Sequence, residues 1–435
     1  VDGSAVTLGR CGGTVALASG ATQTGFGRTG TVDWQTSIKT STITAVNGEG
    51  YFVNTTGGAI TANLPAGSAG AIVAFRDYAN TFDNNNLTIS SNGSEKINGG
   101  TLDLTVSTEG ESLTLVYADA TKGWLVVNDG NNDAGAQASF IVATGGTITT
   151  DGNFKVHTFS GPGTFTVCSV GNAAGSTEVS YVVVAGGGSG GAANNNNNGT
   201  GGGGAGGFRE GKTPQCTYTA SPLACTSGSN NGLPVSAQGY PITVGAGASA
   251  PPSPTNPGSA GSNSIFSTIT SAGGGFGGDD QDSGGNGGSG GGSGANNPGG
   301  TGNTPPVSPA QGSNGGSGFA CSGPSYGGGG GGGATAVGGN GAGPASGNGG
   351  AGATSSINGS PAARAGGGGA GAYSSGTAGT GGAGGGGNGA NGSGTVGNGS
   401  TNTGGGGGGS NVPGGGSGVS GAGGSGIVII RYKFQ

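Results

Sequence analysis

Glycine is the residue that most limits what this chain can become, and it is concentrated in one part of it. Of 117 glycines in 435 residues, 89 fall in the last 255. Glycine has the largest backbone entropy to lose on folding and no side chain to bury. A region about one-third glycine therefore cannot build an ordinary hydrophobic core. Three outcomes are open to it: a disordered linker, a collagen-like triple helix, or extended glycine helices bonded to one another through the backbone.

Collagen needs glycine at every third position. Period-three stretches such as GGNGGSGGGSG (284–294) break within a dozen residues. A flexible linker would be monotonous Gly/Ser. Here apolar residues interrupt the glycine blocks: Phe208, Ile242, Val244, Ile265, Phe266, Ile269, Phe276, Phe319, Ile357, Val396 and Val412. The three-residue left-handed polyglycine II helix shares the polyproline II backbone and points its N–H and C=O groups sideways. Without Cβ atoms such helices approach closely enough to bond to each other and satisfy the backbone. That lattice is the expectation, with a flexible or partly ordered region as the alternative.

The rest of the chain reads as strands. Runs rich in Val, Ile, Thr and Phe recur at Ser41–Val46, Tyr51–Asn54, Ile60–Leu64, Ile72–Phe75, Leu87–Ser90, Leu102–Val106, Ser112–Tyr117 and Gly123–Val127. Asn/Gly/Asp clusters separate them, and no helical periodicity spans 11 residues. The expected class is all-β. Residues 1–30 form an extended lead-in and 31–130 a small β-sandwich or jelly-roll-like domain, with Trp34 and Trp124 as its core or edge aromatics. Residues 131–185 form a β base, 186–426 the glycine region with variable loops, and 427–435 a closing strand paired with Ser180–Ala185. YPITVGAG (240–247) and SIFSTITSAGGGFGG (264–278) look like strands feeding glycine runs.

Charge is as informative as glycine. Charged residues make up 7% of the chain, against roughly 25% in ordinary domains. Twelve Lys and Arg give no basic stripe for a phosphate backbone, so nucleic acid is excluded as a partner. One histidine, His157, rules out a His-based metal cluster and leaves nucleophilic triads a single candidate. It lies in an alternating strand and is expected to be structural. Paired-carboxylate chemistry has only Asp279, Asp280 and Asp282 close together in the glycine region. These three are a possible weak calcium site, although their spacing fits no EF-hand, and a solvated acidic turn is the plainer reading. The expectation is a binding protein, not an enzyme, with no cofactor. No apolar run approaches the roughly 20 residues of a membrane helix, so a membrane-embedded chain is not expected. The N-terminus has no signal-peptide character and no initiator methionine, which suggests a processed chain or a fragment. A Cys216–Cys225 bridge is conceivable, but free thiols are the expected state.

Two stretches carry a resemblance. GRTGTVDWQTSIKTSTITAVNGEGYFVNTTGGAITANLPAGSAG (27–70), continuing to the strand GWLVVN (123–128), resembles a module of tail-fibre and virion structural proteins of marine phages, cyanophages especially. ATGGTITTDGNFKVHTFSGPGTFTVCSV (143–170), through to GGSGIVIIRY (423–432), is similar to the glycine-rich domain that often follows it. Glycine blocks alternating with variable loops also resemble the fibre-tip adhesins of T-even-like phages. The resemblance implies a virion protein of a tail fibre or other external appendage, homotrimeric and bound to other fibre proteins. Its partner would be a host surface glycan or outer-membrane protein, held by loops on polyglycine helices. No catalytic residue carries over. The loops would be Lys212–Leu233, Ala250–Ser264, Asp279–Gln311, Phe319–Tyr326 and Ser355–Tyr373. Tyr218, Phe319, Tyr326, Arg364 and Tyr373 are the candidate binding residues, because aromatics offer flat apolar faces at small entropic cost. The alternatives are a purely structural fibre or decoration subunit, or a bacterial surface glycine-rich protein.

Overall fold

The computed structural model describes residues 32–129, 139–172, 175–193, 198–225, 232–251, 256–279, 282–319, 327–373, 375–392, 394–411 and 419–435. The chain divides into two units, Val1–Gln137 and Ala138–Gln435. The lead-in 1–30 and the anchor Val412 lie outside the described residues.

In the first unit the strands are β1 (Asp33–Lys39), β2 (Ile43–Thr44), β3 (Glu49–Val53), β4 (Ile60–Asn63), β5 (Ile72–Asp77), β6 (Leu87–Ser90), β7 (Leu104–Val106), β8 (Ser112–Asp119) and β9 (Gly123–Asp129). They make two sheets, ordered β1-β3-β5-β8-β9 and β2-β4-β6-β7. Period-two alternation aims Val73 and Phe75 of β5, Leu87 and Ile89 of β6, and Leu113 and Leu115 of β8 into one shared core. Trp124 is fully buried there, whereas Trp34 on the edge strand β1 is 38% exposed and stacks on Phe52. From β1 to β6 the chain crosses to the other sheet at every step. Same-sheet neighbours among these strands therefore run parallel, and only β7, β8 and β9 add antiparallel pairs. The layered sandwich expected from the strand spacing is present, wound as a coil through its first six strands.

The second unit is a β base with a glycine region built onto it. One sheet orders Val142–Thr144, Gly163–Ser169, Gly239–Thr243, Ser264–Phe266 and Ile269–Ser271. The other runs Thr147–Asp151, Phe154–Phe159, Ile427–Lys433, Glu178–Val184, Phe208–Gly211 and Ala224–Cys225. The C-terminal strand pairs with Glu178–Val184, as expected, and it is central in its sheet, because Phe154–Phe159 lies on its other side. Its sheet is covered on both faces. Val183, Tyr181, Val428 and Ile430 pack toward the first sheet, while Val182, Val184, Ile427 and Ile429 pack toward Phe208, Tyr218 and Ile357. Continuous apolar runs such as YVVV and IVII are what a doubly covered strand requires. Cys216 is buried with a free thiol.

The glycine region is a lattice of polyglycine II helices. In the segment 201–207, Gly201, Gly204 and Gly207 donate to Gly278, Gly275 and Ala272. Gly202 and Ala205 donate to Gly329 and Gly332, and Gly203 and Gly206 to Gly407 and Gly404. Three donor directions, each repeating every third residue, are the signature of a three-residue helix. The carbonyls of 200–205 receive from three further segments: Gly188 and Gly191, Ser289 and Gly292, and Gly368 and Gly371. Six neighbours around one helix make a hexagonal array. A Cβ built on Gly203 would sit 2.2 Å from the Gly188 carbonyl oxygen, and one on Gly331 only 1.9 Å from that of Gly203. Close approach, rather than unusual dihedrals, is why these positions are glycine.

Candidate functional site

Successive helices run alternately away from the β base and back to it. The segment 186–192 leaves the strand Glu178–Val184, and 201–207 returns to Phe208–Gly211. Among the described residues, alternate helix ends therefore lie toward the sheet and the others toward the far end of the lattice. At the far end Gly191 bonds to Gly201, Gly201 to Gly278, Gly294 to Asp282, Gly318 to Asn297, Phe319 to Gly327, Gly371 to Thr200 and Ala372 to Ala390. Short bridges tie the same layer together: Ala192–Ala193 pairs with Ser410–Asn411, which pairs with Ala390–Asn391. The described helix ends there are tied into one backbone-bonded layer.

The side chains expected to bind fall on both sides of this division. Phe319 is half-buried at the far end, where its N–H donates to the Gly327 carbonyl at 2.8 Å. Tyr373 is also there, half-buried at a turn in which Gly376 donates to its carbonyl at 2.9 Å. Asp282 is exposed and donates its N–H to the Asp279 carboxylate at 3.1 Å. Asp280 and Tyr326 lie outside the described residues. Among the described residues no three His, Cys, Asp or Glu side chains gather as a metal site.

Tyr218 and Arg364 are corrections. Both are buried at the base, 8% and 6% exposed, and neither presents a recognition face. The Lys212 ammonium lies 5.3 Å and the Arg431 guanidinium 5.7 Å from the centre of the Tyr218 ring. Burial, then the charge of Glu210, pushes its hydroxyl pKa far above the ordinary value. Arg364 sits in the same buried polar group, where burial lowers its pKa and the Glu210 charge opposes that. Glu210 itself accepts the Ser355 hydroxyl at 2.6 Å and the Ser221 N–H at 2.8 Å. The loops carrying these residues follow strands that return to the sheet. Residue type alone could not show this; counting chain reversals along the glycine blocks would have.

His157 is structural in every contact. Its Nδ1–H donates to the Gly145 carbonyl at 2.7 Å, so Nε2 accepts from the Tyr432 hydroxyl at 3.1 Å. Its ring meets Phe165 edge-on at 5.1 Å inside the base sandwich. Burial, chiefly, lowers its pKa, with a smaller push from Lys155. Burial also takes the Tyr432 hydroxyl up to about 12.

Residues 158–433 match the family model described as a glycine-rich domain. No match is found among curated proteins.

Proposed function

The chain belongs to the glycine-rich domain family, and we propose, from the resemblance of its first part and the layout of its lattice, that it is a phage tail-fibre adhesin, a binding subunit without catalytic activity. The observation that carries this reading is the division of the lattice. An array of glycine helices, rooted in a β base, brings every second described helix end to one side of the lattice. Such an end offers several short, differently composed turns to one partner. The resemblance of residues 27–70 to marine phage fibre modules supplies the biological setting: a virion appendage, a homotrimer, and contact with other fibre proteins. The partner is a host surface glycan or outer-membrane protein. Phe319 and Tyr373 are the described aromatics in position to touch it.

The test is competition. Purified protein should bind host cells and block adsorption of the parent phage. Replacing residues 320–326 and 374–376 together, with the helices left intact, should abolish both effects. A protein that neither binds nor blocks would end this reading. Burial of Tyr218 and Arg364 favours a second one, a fibre or decoration subunit in which the lattice only spaces or stiffens the particle. In that case the turn replacement leaves infectivity unchanged.

A further inference from the structure

The glycine region contains repeated Asn-Gly pairs, which in most sequences mark tight turns. In the lattice four of them do something else. Gly341 donates its N–H to the Ser317 carbonyl, and Ser317 returns its own N–H to the Asn340 side-chain oxygen at 2.9 Å. Gly349 and Asn348 hold Thr380 in the same way, with the second bond at 2.8 Å. Gly399 and Asn398 hold Ala422 at 2.9 Å. Gly287 and Asn286 hold Thr301 at 2.7 Å. All four asparagines are exposed. Each pair thus clamps both backbone groups of one residue on the neighbouring helix, at the flank of the array.

Inside the lattice an N–H in that position reaches the carbonyl of a further helix. At the flank no further helix follows among the described residues, and a bare N–H beside a Cβ-free backbone is an open template, as the edge of a β-sheet is. A helix of another molecule needs donors for its carbonyls and room for its backbone. The asparagine removes both, consuming the donor with its oxygen and filling the approach with its side chain. We propose that these Asn-Gly pairs close the glycine lattice laterally against the lattice of a second copy of the chain. Assembly of copies then has to use surfaces other than these flanks.

The experiment uses the full chain with Asn286, Asn340, Asn348 and Asn398 all changed to Gly. Glycine is chosen because an alanine Cβ would still obstruct an incoming helix. Two readouts are taken against the parent: amide hydrogen exchange at Thr301, Ser317, Thr380 and Ala422, and molar mass by light scattering across concentration. The expected result is about tenfold faster exchange at these four amides, in line with one lost hydrogen bond each, with a mass that climbs with concentration beyond the parent's. Asn→Asp at the same positions keeps the acceptor and should restore slow exchange. Faster exchange with the parent's mass would overturn the closure, and unchanged exchange would overturn the clamp itself. If the fourfold variant does not fold, the single variants give the exchange reading site by site. Their mixed solutions, at high concentration, give the mass reading with the same two outcomes.

Discussion

For single residues the governing quantity is distance, and glycine shows it most directly. Gly203 has no room for a Cβ, whereas one on Gly161 would meet nothing within 4 Å. Gly203→Ala should cost about 3 kcal/mol or more through forced backbone displacement. Gly161→Ala should stay within about 0.5 kcal/mol. Chemical unfolding of the two variants checks the contrast. His157 gives a pH dependence whose sign follows from its burial. Its folded-state pKa is depressed, so below an unfolded value of about 6.5 the unfolded chain binds a proton that the native chain refuses. Its contribution to stability is intact above that pH and is lost as the pH falls through the window beneath it. Unfolding midpoints from pH 8 to pH 5 should decline, and His157→Phe should flatten the decline while lowering stability at pH 8. The placement of His157 in an alternating strand was legible from its neighbours. The burial of Tyr218 and Arg364 was not, because composition marks a loop without saying which end of the array it occupies.

Among the elements, the strand Ile427–Lys433 depends most on partners distant in sequence. It is inserted between Phe154–Phe159 and Glu178–Val184, and Arg431 anchors it. The guanidinium donates to Asp151 at 2.7 Å and to the Ile357 carbonyl at 3.1 Å, and lies 4.3 Å from the Phe154 ring centre. Arg431 is 2% exposed and Asp151 46% exposed, so the two halves of the pair are not equivalent. Asp151→Ala strands a buried cation and should cost about 3 kcal/mol. Arg431→Met keeps the packing, leaves a carboxylate that water can solvate, and should cost about 1 kcal/mol. Equal losses in the two variants, read by thermal unfolding, would contradict this asymmetry. Apolar run length announced a strand in IVIIRY, and its pairing with YVVVA was legible too. Its central place was not, since a run buried on two faces looks the same at the middle of a sheet as at an edge covered by loops.

Taken as a whole, the second unit depends on bonds between segments far apart in the chain, since Gly202 bonds to Gly329 and Gly203 to Gly407. A lattice held this way should open cooperatively rather than strand by strand. Hydrogen exchange should therefore show 186–192, 201–207, 272–278 and 404–409 protected to a common level. Protection confined to the β base would return the glycine region to the flexible alternative. Composition alone had narrowed the possibilities for the glycine region sharply: about a third of its residues lack Cβ atoms, which forbids a packed side-chain core within it, and broken periodicity forbids collagen. Those conclusions need only local chemistry, because they rest on what each residue lacks. Which helix neighbours which, which turns share the far end, and why asparagine lines the flank all depend on three-dimensional adjacency. Glycine blocks are interchangeable in sequence, so their order in the array follows from the turns between them and the sheet that roots them.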